Sequence, residues 1–291
     1  MKPPPTYQPN LLRTRVGVVV AALGVLVAIP ATAAAATPPV PLGTAKSFVV
    51  LAGAGVTNTG KTTLNGNLGT FPTKAITGLS TLTLNGTNHA GDAVTQGAKK
   101  DLTTAYTTAA GAGPTKAIPV ELGGKTLQPG VYSGGALGLT GTLTLDGGNN
   151  PDAVFIFKAA STLITASASR VKLVNVNPCN VFWQVTSSAT LGTGSKFVGT
   201  IMALTDIHLT TGATLSGRAL ARNGAVTLQA NTISLPSCSQ VTKVPAGGVQ
   251  TGDGSTSVTG NHVQVLWAGA LLFITLGVAS VATRRRRRVN T

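Results

Sequence analysis

The sequence predicts a mainly β chain wound as a β-helix with one α-helix at its side, and three observations predict it. The first is a gapless repeat. "LGTGSKFVGTIMA", from Leu191, returns eighteen residues later as "LTTGATLSGRALA", from Leu209, with Phe197 over Leu215, Gly199 over Gly217 and Ala203 over Ala221. Eighteen residues exceed one ordinary strand but suit two or three short strands joined by tight corners, one turn of a coil. The second is a series of short runs with period two, which read as half-buried strands. The third is a single segment with helical period. An antiparallel sandwich with a chance similarity is the alternative, and it leaves the register unexplained.

At the start of the chain, Arg13 and Arg15 precede an apolar run from Val16 to Ile29, followed by Pro30 and small residues. This is the layout of a secretory signal peptide. Residues 1–36 are assigned to it, with cleavage after Ala36 and Ala33 as the nearby alternative; a retained membrane anchor is the other reading. Residues 37–44 are expected to link it to a body at 45–238.

Within the body the alternating runs are "TLTLNG" at 81, "GTLTLDG" at 141, "AVFIF" at 153, "VFWQV" at 181, "DIHLT" at 206 and "AVTLQ" at 225, punctuated by Gly, Asn, Asp and Pro. In each repeat block the large apolar residues should point into the coil and Thr, Ser and Gly out of it. Gly199 and Gly217 fall where a corner would bend the backbone. Stacked coils would place matching residues about 4.8 Å apart. The helical segment lies within 88–114. Val94, Ala98, Leu102, Ala105 and Ala109 form its apolar stripe, Asp92 can cap its start, and Gly111, Gly113 and Pro114 stop it. That stripe must be buried, and the flank of the coil stack is the available partner.

Cys179 and Cys238 are the only cysteines. In an exported chain such a pair is most simply a disulfide. A Gly-, Ser- and Thr-rich spacer without periodicity follows at 239–264; fully extended it would reach about 85 Å. Residues 265–282 are an apolar run at the lower limit for crossing a bilayer, and Arg284 to Arg288 open a basic tail at 283–291. Arginines abutting a span belong on the cytoplasmic side, so the body should lie on the extracellular face of the envelope, anchored in the membrane. The order of Thr-Gly, spacer, apolar run and basic tail resembles a sortase sorting signal. Thr251 and Gly252 would supply the cleavage site, although Leu-Pro-x-Thr-Gly is absent; attachment to the cell wall by sortase is the second mode of anchoring.

Charge narrows the function. The chain has 22 Lys and Arg against 7 Asp and Glu, a formal +15. Lys2, Arg13, Arg15 and the five tail arginines lie in the ends, which leaves fourteen basic residues against seven acidic ones in the body and spacer, a net +7. No basic cluster in the interior suggests a nucleic-acid groove, so no nucleic-acid partner is expected. Catalysis is not expected either. Asp92, Asp101, Glu121, Asp146, Asp152 and Asp206 are scattered singly, whereas β-helical glycosidases need paired carboxylates. His89 and His208 have no second ligand at metal spacing, and "GVTNTGKTT" at 55 misses the phosphate-loop spacing. No cofactor or metal is called for.

Threonine is what the surface offers: 33 of the 194 residues from Leu42 to Leu235. Thr59 and Thr62, Thr165 and Ser167, Thr193 and Ser195, and Thr211 and Thr214 set hydroxyls close together with Gly or Ala between them, and repeated hydroxyls at strand spacing can hold ordered water. Threonine is also simply a good outward strand residue.

At "FVVLAGAGVTNTG" (48–60), "LGGKTLQPGVY" (122–132), "LTGTLTLDG" (139–147), "DAVFIFK" (152–158) and the run from Cys179 to Ile233, the chain resembles the microbial ice-binding-protein-like family. The resemblance covers Ala45 to Leu235. It implies a right-handed, irregular, three-faced β-solenoid with one long helix alongside and a cap between early strands, the cap and helix together occupying 65–112. It implies binding of an ice crystal surface through one flat face by a protein without cofactor, taken here to be a monomer, which curves the ice between adsorbed molecules and slows growth and recrystallisation. Some members carry Thr-Ala/Gly-x-Thr/Asn motifs on that face. Thr59 to Thr62 and Thr211 to Thr214 match this pattern, while the stretches from Thr165 and Thr193 match in part, and Lys196 would interrupt it. The expectation is a surface-anchored protein that inhibits ice growth or adheres to ice. The alternative is a surface adhesin or envelope structural protein with another ligand on the same solenoid.

Overall fold

The computed structural model describes residues 1–2, 37–150 and 152–238. The predicted signal peptide beyond Lys2, the spacer, the sorting site at Thr251 and Gly252, the apolar run 265–282 and the basic tail lie outside the described residues. Among the described residues no helix is long and apolar enough to cross a membrane.

The body is a stack of β coils with three faces. Every strand pairing is parallel, as coils laid on one another require, and only strands at the ends of the stack pair on one side alone. The predicted repeat is one coil on the next: Leu191 pairs with Leu209, Phe197 with Leu215, Gly199 with Gly217 and Ala203 with Ala221. Gly199 and Gly217 mark the bend where the strands Lys196–Ala203 and Thr214–Ala221 pass from one face to the next. Gly199 has φ 112°, and a Cβ on Gly217 would lie 1.9 Å from the Gly199 carbonyl oxygen, so no side chain fits at that crossing.

The coils are not stacked in chain order. The chain lays down two coils first, with strands Phe48–Ala52, Val56–Thr59 and Thr62–Asn65 and then Asn67–Thr70, Ile76–Thr77 and Leu82–Asn85. The helix Ala93–Gly111 follows, and the remaining coils climb back from Thr115 until Thr214–Ala221 and Thr232–Ser234 dock on the first coil. The predicted cap is therefore a complete end coil. Its inward residues Ile76, Leu82 and Leu84 are only half-buried, because no further coil covers them.

Inside the stack, aliphatic rows run from coil to coil, and Tyr132, Phe157, Trp183 and Phe197 form an aromatic column with centroids 5.5, 4.0 and 4.8 Å apart. The helix lies over one face, the covered face. Its 19 residues span about 28 Å, roughly six coil steps. Asp92 caps it through the Thr95 amide at 2.8 Å. Ala98, Leu102, Ala105, Tyr106 and Ala109 face inward onto Leu51, Ile156, Phe182, Met202 and Leu220. Val94, predicted to join this stripe, is 48% exposed and Thr95 is buried in its place, because the Asp92 cap and the Thr95 hydroxyl bond to His89 turn the first turn. The runs at 153 and 181 were expected to be half-buried. They are buried on both sides because the helix covers their outer residues.

Two basic side chains fasten the helix layer. The Lys99 ammonium donates to the carbonyls of Ala221 and Arg222, and Arg218 Nε donates to Lys46 O at 2.8 Å. The stretch 37–44 is more than a linker: Val40 and Leu42 enter the helix-side core. The predicted disulfide joins Cys179 to Cys238, with Cα atoms 5.5 Å apart.

Candidate functional site

With the covered face occupied, two solvent-facing sheets remain. One has seven strands in the order Leu137–Leu139, Leu163–Thr165, Ala189–Leu191, Ile207–Leu209, Val226–Gln229, Val56–Thr59, Ile76–Thr77. Strand alternation sends one apolar residue of each pair inward and leaves its neighbour outside. The outward row is Gly138, Ile164, Thr190, His208, Thr227, Thr57 and Thr77, held in register along the stack. Four of the seven are threonines, and Thr227, Thr57 and Thr77 are consecutive. A second row, Thr210, Gln229 and Thr59, runs along its edge, and the outward residues of these seven strands include no Lys or Arg. This is the threonine face.

The other sheet, the mixed face, pairs Thr142, Arg170, Lys196, Thr214, Thr232, Thr63 and Thr83 in one outward row. Beside it runs a row containing Thr144, Lys172, Val198, Ser216, Ser234, Asn65 and Asn85. Asn85 Nδ2 donates to Asn65 Oδ1 at 2.7 Å and Asn65 Nδ2 to Ser234 Oγ at 2.8 Å, a short ladder along the stack.

The eight predicted hydroxyls do not share a face. Thr59 and Thr211 are exposed at the corner between the threonine and mixed faces, and Thr193 and Ser167 are exposed at the same corner on lower coils. Thr214 is half-buried on the mixed face. Thr62, Thr165 and Ser195 are only 1%, 3% and 0% exposed and cannot meet a flat surface. The inward turn has a cause in two of them: Thr62 Oγ1 accepts the Asn231 amide at 3.1 Å and Thr165 Oγ1 accepts the Gly192 amide at 2.9 Å, closing corners from within. Lys196 stands on the mixed face and Lys61 is exposed at the corner, so neither breaks the outward row of the threonine face. Thr57, Thr77, Thr190, Thr210 and Thr227, outward on this face, are not among the predicted residues. Thr190 and Thr227 each stand between two inward apolar residues, as in "ATL" and "VTL", whereas Thr57, Thr77 and Thr210 are followed by Asn, Gly and Thr and carry no such signal.

The acidic residues serve the backbone. Asp101 accepts the Thr44 hydroxyl and amide at 2.6 and 2.7 Å. Glu121 accepts the Gly123 and Thr140 amides at 2.6 and 2.8 Å, and Asp206 the Ala225 amide at 2.7 Å. The Thr44 hydroxyl, followed by its amide, holds the Asp101 carboxyl below its ordinary range, and the Thr140 amide does the same for Glu121. His89 Nδ1 lies 2.6 Å from Asp92 Oδ2. Asp92 is held low chiefly by the Thr95 amide and then by His89. Among the described residues no three His, Cys, Asp or Glu side chains could hold a metal ion together.

Comparison with known proteins agrees with this architecture. The Ice-binding-like family model matches residues 50–234. An ice-binding protein of Nostoc sp. (strain HG1) is 48% identical over 196 residues, covering 66% of this chain and 73% of that protein. The crystal structure of an ice-binding protein from an Antarctic biological consortium superposes with a TM-score of 0.69 at 44% identity, covering 72% of this chain and 96% of that one. That of an ice-binding protein from the ascomycete Antarctomyces psychrotrophicus gives 0.66 at 40% identity, covering 68% and 99%. The chain belongs to the ice-binding-like family.

Proposed function

We propose that this member of the ice-binding-like family adsorbs to ice through its threonine face, and does so from the extracellular side of the cell envelope. The observation that carries the reading is the outward row of that face, without Lys, Arg, Asp or Glu and with threonine at 57, 77, 190 and 227 in register over stacked coils. Stacking sets such residues about 4.8 Å apart. Each threonine offers one hydroxyl that holds water and one methyl that does not. Repetition at a fixed interval favours an ordered water layer over a disordered one, and ordered water can merge with a crystal of water. The contact is a broad, weakly charged plane without a catalytic group. Between adsorbed molecules the ice front must curve, and curvature slows its growth and recrystallisation.

An adhesin with a different ligand would more naturally use a face broken by charge, and the threonine face is continuous over Thr227, Thr57 and Thr77. The net charge of the tail and the apolar run before it support tethering, which favours protection or adhesion close to the envelope.

The test is thermal hysteresis and ice-recrystallisation inhibition by the purified chain beside Thr227→Tyr and Ser216→Tyr. Thr227 is central to the threonine face and Ser216 is exposed on the mixed face. Activity in the parent, lost in T227Y and kept in S216Y, is expected. Loss only in S216Y would move the contact to the mixed face, and an inactive, folded parent would overturn ice binding. Fractionation of cells with and without residues 265–291 tests the tether: the full chain should sediment with the envelope and the truncated chain should be released.

A further inference from the structure

The mixed face is two surfaces of different chemistry. Its upper half carries Thr, Ser and Asn. Its lower half carries Arg170, Lys172 and Lys196, all exposed, on two neighbouring strands. Arg170 and Lys196 are register partners, about 4.8 Å apart at Cα, and Lys172 points the same way two residues along. Like charges so close repel one another unless an anion sits among them, and among the described residues no protein anion does. Among the described residues the one contact between a basic and an acidic side chain is His89 with Asp92, which involves none of these three cations. Asp146, the acid nearest in register, directs its carboxylate to the Gly148 amide.

Beyond the Arg170–Lys196 pair the two strands part, because Lys196–Ala203 bends towards the covered face. A depression of about 240 Å³ opens beside Lys196, with Val171 and Phe197 at its floor and Thr214, Ser216 and Thr232 around it. That volume is small for a drug-sized ligand and suits a single sugar ring. A pyranose has apolar C–H faces and a hydroxylated edge; an apolar floor with a hydroxyl rim complements both, and a cation at the rim adds a partner for a carboxylate.

We propose that the lower half of the mixed face, Arg170, Lys172, Lys196 and the depression beside Lys196, is a docking surface for an acidic polysaccharide. Uronate carboxylates would pair with the three cations, the Arg170 guanidinium in bidentate fashion, while one sugar ring rests in the depression. A membrane surface suits this half less well: its outward apolar residues, Val174 and Val198, are half-buried and offer no wedge for lipid. The proposal is independent of the ice reading, since the two contacts use different faces of one stack.

The experiment measures binding of the purified chain to immobilised polygalacturonate at low and high salt, beside neutral dextran and vesicles of phosphatidylcholine with phosphatidylglycerol. Saturable binding to polygalacturonate, weakened by salt and absent on dextran, is expected. Replacing Arg170, Lys172 and Lys196 together by Gln should weaken it about tenfold or more, as three exposed charge pairs are lost, with an unchanged melting temperature. Ser216→Tyr fills the depression without touching the charge and should weaken it as well. Thr227→Tyr should leave this binding intact, which separates failure here from failure of the ice contact. No binding to polygalacturonate, full binding by the triple variant, or equal binding to the vesicles that S216Y does not alter would each overturn the proposal, the last in favour of an anionic membrane.

Discussion

Asn231 pins the corner between the threonine and mixed faces, and replacing it with alanine should be costly. The residue is 1% exposed. Its Nδ2 donates to Thr210 O at 2.9 Å and Ala213 O at 3.0 Å, and its Oδ1 accepts the Gln229 amide at 2.6 Å. In Asn231→Ala the Thr210 carbonyl keeps the Ala213 amide at 3.1 Å, but the Ala213 carbonyl and the Gln229 amide each lose this partner. A buried polar group left without a partner costs about 1–3 kcal/mol, so two of them with the small cavity amount to about 3 kcal/mol. In a domain of this size each kcal/mol lowers the melting temperature by roughly 2–4 °C, which predicts a fall of about 6–12 °C by calorimetry. Thr62→Val removes only the acceptor of the Asn231 amide and should cost about 1 kcal/mol. A melting temperature for N231A within about 2 °C of the parent would refute the idea that side-chain bonds inside the corner hold it.

Four further outcomes follow from the same contacts. Burial lowers the Lys99 pKa from 10.5 to about 8, with the Arg222 charge adding to it, so the unfolded chain holds this proton where the folded chain has released it. Stability should therefore rise as pH rises from about 8 to 10.5, by about 1–2 kcal/mol once partial exposure is discounted, and Lys99→Met should flatten that rise in denaturant titrations at stepped pH. Reducing the Cys179–Cys238 bond frees a sequence separation of 59 residues, which the chain-entropy estimate values at about 4 kcal/mol; a melting curve unchanged by reductant would contradict it. His208 interrupts the outward row between Thr190 and Thr227, so His208→Thr should increase thermal hysteresis, and a decrease would make His208 itself a contact. Ala168 and Ala230 have φ of 59° and 50°, where alanine costs about 1–2 kcal/mol against glycine; Ala230→Gly should stabilise by about 0.5 kcal/mol after the entropy of the unfolded glycine is subtracted, and a destabilised variant would refute the strain argument.

The coil stack was legible because its signal is local and repeated. Leu191 over Leu209 and Gly199 over Gly217 state the register outright, and the six alternating runs are all strands. The helix was legible from Asp92, its stripe and the glycines after it. What escaped the sequence was long-range. Nothing near Val40 or Leu42 says that a helix fifty residues on will cover them, and nothing in "VFWQV" says that its outward Phe182 faces that helix rather than water. The docking of the last coil on the first is equally invisible, since Ser234 and Asn65 are 169 residues apart in sequence.

The misplaced hydroxyls have a more particular cause. A search for Thr-Gly-x-Thr is a search for glycine, and in this fold glycine is required at corners. Gly60, Gly194 and Gly212 have φ of 72°, 64° and 69°, and Ala168 and Ala230 hold the same left-handed conformation in the same stacked column. The motif therefore finds the turn between two faces. Its threonines divide accordingly: Thr59 and Thr211 stop at the edge, Thr62 folds inward to receive the Asn231 amide, and Thr214 begins the neighbouring sheet. The residues that form a plane are marked by nothing except alternation, and a threonine between two inward aliphatic residues, such as Thr227 between Val226 and Leu228, looks like any outward strand residue. It becomes distinctive only when Thr57 and Thr77 stand in register above it, and that register is a property of the stack.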